Sequence, residues 1–466
     1  MNLSFFQDKK FIRSMLSLAI PVAFQQFITA SLNMVDILMV GQLGEASIAA
    51  LGLANQVFFL LIILLFGVTS GMAIFTAQFW GKGDMESIHK VMGISLTVSL
   101  LVGTFFSLVA TLFPETILRF YTEDREVIEL ASGYLRIVGL SYVFTAIVTS
   151  YYAVLRSITH VKLTVAVSVT ALILKSILSY MLIFGIGGLP ALGVRGAGIA
   201  TAFGWSFQFV LILILVYTLK TPLAVNPLNF FRFERAFLFR VLGTAMPAAV
   251  NEVFWSVGIT VYNAVYAHIS TGAIAAVQIS ATLEEVAFVL FIGLGNACAI
   301  MIGNEIGAGN KELAFEHSRR FLIIVVLIAF LAGAVVLLIR EPVISLYEIS
   351  SEVEKSAHQL MTIFAFTIWI RSLNFTLFIG VLRAGGDTRF GMYLEIFSIW
   401  LIGVPAALIG GFVLHLPVEG VYLLVFTEEI VKLFLIFRRY LSRKWIHDLV
   451  SVPAGRKEEA PISLTV

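Results

Sequence analysis

Cysteine and charge are what this 466-residue chain has least of. Its single cysteine, Cys298, excludes an internal disulfide framework. Asp, Glu, Lys and Arg together make up 13% of the residues, where a soluble domain carries about 25%. The seven histidines are scattered without ligand spacing, and neither HExxH nor GxSxG occurs. No enzyme, metal or cofactor chemistry is therefore expected. The glycine-rich turns "GKGD" and "GAGN" lack the GK[ST] ending and the preceding strand of a phosphate loop, and read as short connections between helices. A formal net charge of +2 gives no reason to expect a nucleic-acid partner.

What fills the chain instead is hydrocarbon. Hydrophobic residues make up 59%, and the mean hydropathy is +0.96. A bilayer core about 30 Å thick takes roughly 20 apolar residues per helix. Twelve segments meet that length, near 14–40, 48–79, 91–113, 129–155, 162–185, 194–218, 238–267, 273–303, 321–339, 355–382, 390–414 and 418–441. They are too long and too evenly apolar for barrel strands. An all-α membrane protein with twelve transmembrane helices is expected. Lys9, Lys10 and Arg13 precede the first apolar run without a cleavage site, so that run reads as a retained span. With both termini cytoplasmic, most basic loop residues fall on the inner side, including Lys82, Arg156, Arg235, Lys311 and Arg383. Arg119, Arg125, Arg195, Arg340 and Lys355 fall outside. That asymmetry predicts cytoplasmic termini and, for a bacterial chain, the inner membrane.

The chain repeats itself. At an offset of 226, "LAIP" (18–21) meets "TAMP" (244–247), Gly67 meets Gly293, and Gly81 and Gly83 meet Gly307 and Gly309. One residue further on, "VLR" (154–156) meets "VLR" (381–383). The expected organisation is an N-terminal six-helix bundle (1–218), a polar linker (219–235), a C-terminal six-helix bundle (236–445) and a cytoplasmic tail (446–466). Each half has an even number of spans, so the repeats run parallel about an axis along the membrane normal. Proteins built this way place a site between the halves near the midplane and work by alternating access.

Several repeated elements also carry a family likeness. "NMVDILMVGQLGEASIAALG", "AQFWGKGD", "LIFGIGGLPALGVRGAGIAT", "MPAAVNEVFWSVG" and "VLRAGGDTRFGMY" resemble the multidrug and toxic compound extrusion (MATE) transporters of prokaryotic type. The resemblance spans all twelve segments. It implies two pseudo-symmetric bundles in a V around a central cavity. It also implies export of small, mostly cationic amphipathic molecules driven by inward protons or sodium; no cofactor is expected, and the chain is expected to work as a monomer. A flippase for lipid-linked substrates is the alternative; it would need a strongly cationic cavity and often two more helices. An intramembrane enzyme would need clustered His or paired Asp at one membrane face.

Polar residues inside the apolar spans mark the candidate site. Gln26, Thr29, Asn33 and Asp36 are spaced 3, 4 and 3, which places them on one helix face. Such a face needs partners or water, not lipid. An aspartate there can exchange a proton, or hold sodium together with Asn33; it can also be a permanently paired structural group. The resemblance places Asp36 on the family's coupling carboxylate. Lys175 and Ser179 stand in span 5 where many relatives carry Asn or Asp, and Lys175 is the natural partner of Asp36. Pro21, about four turns from Asp36, removes a backbone hydrogen bond and offers a bend, repeated as Pro247. In the second half, Glu252 followed by Trp255, Tyr262 and Tyr266 suits a lipophilic cation. So do Gln278, Thr282 and Glu285 on one face of span 8. Glu428 and Lys432 read as an i,i+4 structural pair.

Overall fold

A computed structural model describes residues 8–345, 347 and 349–451. The described residues are helical almost throughout and contain no strand. Apolar runs of this length leave no other choice in lipid, because every backbone N–H and C=O must bond within its own segment. The spanning helices are α1 (Lys9–Gly41), α2 (Glu45–Lys82), α3 (Met85–Leu112), α4 (Arg125–Gly139 with Tyr142–Ser157), α5 (Val161–Phe184) and α6 (Val194–Thr218). The second set is α7 (Arg235–Ile269), α8 (Thr271–Gly307), α9 (Lys311–Ile344), α10 (Ser351–Arg383), α11 (Thr388–Val413) and α12 (Val418–Leu441). Ten of these are single helices long and apolar enough to cross a membrane. The other two need comment. The expected continuous span at 129–155 is broken: its two pieces meet at a bend of 52° beside Leu140 and Ser141. α12 has the length of a span, but Glu428, Glu429 and Lys432 depress its hydropathy, and Glu428 and Lys432 are buried among its neighbours.

The glycine-rich turns do act as helix junctions. Gly83 (φ +78°) ends α2 in the left-handed conformation, and Asp84 then caps α3 by accepting from the Ser87 N–H at 3.0 Å. Asp8 caps α1 on the Phe11 N–H and pairs with Arg320 of α9 at 2.6 Å. In the linker, Pro227–Phe231 forms a short 3₁₀ turn whose Phe230 is buried against α3. A side chain at Gly93 would collide with the Phe230 carbonyl, so this approach requires glycine.

Apolar surface drives no helix association inside a bilayer; close packing of small residues does. The seam between the halves follows that rule. A β-carbon at Gly67 would lie 2.5 Å from Ala249 Cα, and one at Gly71 would lie 2.6 Å from Ala245 Cα. At Gly293 it would lie 2.6 Å from the Ala19 carbonyl oxygen. At the ends of α2 and α8, Gly81 abuts the Asn304 carbonyl and Gly307 abuts the Gln78 carbonyl. All of these lie toward the end of the molecule that carries Asp8 and Ser451. There the chain crosses over. Phe11, Met15 and Val22 of α1 join the core of the second set of helices, whereas Val241, Ala245 and Ala249 of α7 join that of the first.

The segment after α12 straps this terminal side. Trp445 is fully buried. The Gln78 side chain donates to the His447 carbonyl at 3.1 Å and accepts from the Leu449 N–H at 2.9 Å, and Lys82 donates to the Val450 carbonyl at 2.8 Å. Asp387, in the turn between α10 and α11, accepts from Arg439 Nε at 2.6 Å and faces His447 at 3.5 Å. Burial opposes its charge most strongly, but the hydrogen bonds from His447 and Arg439 outweigh it and hold this carboxyl below the ordinary 3.8.

Candidate functional site

Asp36 sits in the far half of α1 and Lys175 at mid-length in α5, and the two form an ion pair. Their side chains are 14% and 15% exposed, so the charges are largely removed from solvent. Gly204 of α6 makes room for the lysine: a β-carbon there would stand 3.1 Å from that of Lys175. Asp36 Oδ1 is buried with no hydrogen-bond partner among the described residues, so the ammonium serves one oxygen and leaves the other open. Only part of the expected polar face gathers here. Asn33 is exposed, Thr29 turns back to the Gln25 carbonyl at 2.9 Å, and Gln26 is half-buried. Ser179 is buried one turn beyond Lys175. Among the described residues no group of three His, Cys, Asp or Glu is placed to hold a metal ion.

A second polar locus lies between the halves. A cavity of about 230 Å³ opens between α2, α4, α8 and α10, directly above the contact of Ala77 with Gly303. Thr69, Ser70, Thr149, Tyr152 and Asn296 line it, together with two arginines, Arg156 and Arg383. These are the arginines of the repeated "VLR", expected in cytoplasmic loops. The structure corrects that: each closes its helix, and both reach the cavity instead of the loop. α10 achieves this through a π-helical stretch, Thr376–Arg383, whose wider turn ends on the arginine.

The two arginines are held differently. Arg383 pairs with buried Glu252 of α7 at 2.6 Å and donates to Ser70 at 3.1 Å. Arg156 donates to Gln25 Oε1 of α1 at 2.8 Å and to Thr164 at 3.3 Å, with no ion pair among the described residues. Glu252 and Gln25 stand just past the paired prolines Pro247 and Pro21. Counted from the prolines, Gln25 aligns with Asn251 and Glu252 with Gln26, so the amide that meets the first arginine and the carboxylate that meets the second come from adjacent, not equivalent, positions.

Four more acids of the second half, Glu284, Glu395, Glu428 and Glu429, are also engaged. Glu284 accepts from Arg371 at 2.8 Å and from the Tyr422 hydroxyl at 2.7 Å. Lys432 lies 3.2 Å from Glu395, 3.4 Å from Glu429 and 3.9 Å from Glu428, so the expected i,i+4 pair is the longest of three contacts. Tyr262 donates to Glu428, in space left by Gly403. Two expectations need correction here. Glu252 is neutralised by Arg383 and offers no free charge to a cation, and Tyr262 and Tyr266 are buried in the second bundle instead of lining the space between halves.

Trp255 is 37% exposed, and Gln278, Thr282 and Glu285 are exposed along α8. Glu285 and its counterpart Phe59 in α2 stand three turns, about 16 Å, beyond Asn296 and Ser70 on the same helix faces. Both are exposed, so the space above the cavity is open. Gln25, Arg156 and Arg383 are the residues that sequence reasoning passed over; the repeated "VLR" was a signal for the two arginines, and Gln25 had none.

A family model described as MatE matches twice, over residues 21–181 and 247–409, with starting points 226 residues apart. The uncharacterized transporter YisQ of Bacillus subtilis is 26% identical over 94% of this chain and 96% of its own. The probable multidrug resistance protein YoeA of the same organism is 24% identical over 92% and 93%. A solved structure described as the outward-facing conformation of a multidrug resistance MATE family transporter superposes with a TM-score of 0.86 at 20% identity, over 96% of this chain and 98% of that one. By fold, by the doubled match and by the full-length likeness, this chain is a multi-pass membrane protein belonging to the MatE family of transporters, not an enzyme.

Proposed function

We propose that the chain is a secondary active antiporter that exports amphipathic organic molecules in exchange for inward protons. The observation that carries this reading is the Asp36–Lys175 pair: a carboxylate and an ammonium held together inside a membrane-spanning bundle, with one carboxylate oxygen left unpartnered. Protonation of Asp36 removes the counter-charge and strands Lys175, which is costly enough to move α1 against α5. Pro21 supplies the bend on the same helix. Sodium fits this pair less well, since a second cation would have to share the carboxylate with a tethered one. The relatives whose names include multidrug resistance favour export of small molecules.

The rest of the proposal follows the same frame. Residues 1–218 and 236–445 act as the two bodies that rock about the glycine seam. The strapped side faces the cytoplasm, in keeping with the basic residues gathered there, and a single chain in the inner membrane suffices. Glu285, Gln278, Thr282 and Trp255 form the wall that meets a lipophilic cation. A flippase for lipid-linked substrates is disfavoured, because it would need a strongly cationic cavity, and with Glu252 on Arg383 this one keeps a single net positive charge. The test is ethidium movement in proteoliposomes under separately imposed pH and sodium gradients. A pH gradient should drive accumulation, a sodium gradient should not, and Asp36→Asn should abolish the driven component. Full-rate driven transport by Asp36→Asn would overturn the reading.

A further inference from the structure

The cavity above the Ala77–Gly303 contact is built around a guanidinium that no carboxylate answers. Its lining residues include two cations and no acid. Arg383 is met from behind by Glu252, so the walls keep one positive charge in excess, on Arg156. A guanidinium has five N–H donors. Those of Arg156 spend one on Thr164 and one on Gln25, leaving both hydrogens of Nη1 and one of Nη2 without a partner among the described residues. The Tyr152 ring lies 5.7 Å from the guanidinium carbon, and its hydroxyl is directed to Gln208 at 2.9 Å. The arginine is thus fixed from one side and unanswered on the other. That open side belongs to the cavity lining, where an anion can replace water on the guanidinium.

We propose that this cavity receives an anionic group, a carboxylate, sulfonate or phosphate carried by an amphipathic molecule, with Arg156 as the recognising residue. The planar fork of arginine suits two-point contact with such a group, and Ser70, Thr149 and Asn296 on the surrounding walls supply further polar contacts. The site is asymmetric: the second half closes its arginine with the carboxylate of Glu252, and the first meets its own with the neutral amide of Gln25. The inference goes beyond export of amphipathic molecules and rests on that reading only in taking the space between the halves as the substrate's path.

The test uses the purified full chain in lipid nanodiscs, with empty discs subtracted. Equilibrium binding is measured for three probes sharing one apolar body: 1-pyrenebutyrate, its methyl ester and a pyrenebutyl trimethylammonium. Arg156→Gln should weaken pyrenebutyrate binding by about tenfold or more while leaving the ester unchanged, and Arg156→Lys should retain part of the affinity. Gln25→Glu copies the Glu252–Arg383 arrangement. It should lose pyrenebutyrate to the same degree without a lower thermal unfolding midpoint, which separates recognition from folding. Equal weakening of acid and ester, or undiminished pyrenebutyrate binding in Gln25→Glu, would overturn the proposal. No gradient is present, so this outcome is independent of whether protons drive export.

Discussion

Removing either charge of the Asp36–Lys175 pair should destabilise the protein, and removing both should cost less than the sum. Taking one partner from a buried pair costs about 3–5 kcal/mol, because the other charge is left uncompensated. Both side chains here keep some exposure, 14% and 15%, which puts each single change near the lower end, about 2–3 kcal/mol. Lys175→Met leaves Asp36 with neither oxygen partnered, since Oδ1 has no partner to begin with. Asp36→Asn leaves an ammonium facing an amide. The double variant strands nothing, so the coupling energy should be about 2 kcal/mol. The assay is a double-mutant cycle by reversible unfolding in mixed micelles of dodecyl sulfate and a mild detergent, run beside pH-driven ethidium transport. Single-variant losses that simply add, within about 0.5 kcal/mol, would refute the pairing as an energetic unit. Transport by Lys175→Met at the normal rate and with the normal pH dependence would show that the lysine has no part in coupling.

Other expectations are as direct. Gly81→Leu or Gly307→Leu should force α2 and α8 apart on the terminal side, read as faster maleimide labelling of a cysteine placed at Ala77 in a Cys298→Ala background. Asp387→Asn should cost about 2 kcal/mol at neutral pH, since it removes charge-assisted hydrogen bonds. Because the folded-state carboxyl is held below 3.8, that stabilisation is complete above 3.8 and is lost as pH falls through the lower folded value, where wild type and variant should converge. Glu284→Gln strands Arg371 and should lower the unfolding midpoint more than Glu285→Gln, whose carboxylate is exposed. Glu285→Gln should instead weaken the trimethylammonium probe more than the methyl ester.

The spans were legible because length and apolarity are nearly sufficient for a helix in lipid. The break at Leu140–Ser141 was not, since only Gly139 marks it, and a lone glycine in a helical run is a weak signal. Asp36 and Lys175 stood out as opposite charges in apolar runs, and the structure joins them. The acids of the second half stood out equally, but sequence could not say that Arg383, Arg371 and Lys432 would reach them. Long basic side chains near helix ends read as loop charges, and only the tertiary path shows that Arg156 and Arg383 turn inward. Gln25 was invisible beside Gln26 because adjacent helix positions differ by 100°, and a neutral amide gives no warning of the charge that it meets.

The glycine seam has the symmetry of a homodimer interface. Gly81 touches Asn304 and Gly307 touches Gln78; Gly67 touches Ala249 and Gly293 touches Ala23. Shifted by 226, each contact becomes its partner. This is the reciprocity of an isologous two-fold interface, where residue i meets j and j meets i, written here within one polypeptide. In a dimer of identical half-length chains any side chain added at such a position would be inserted twice, once on each side of the axis, and both contacts would have to accommodate it. Fusion into one chain lifts that restriction, since a change in one half no longer repeats in the other. Glu252, whose counterpart at that shift is Gln26, is such a difference, and it was open only to a protein whose two-fold axis had ceased to be exact.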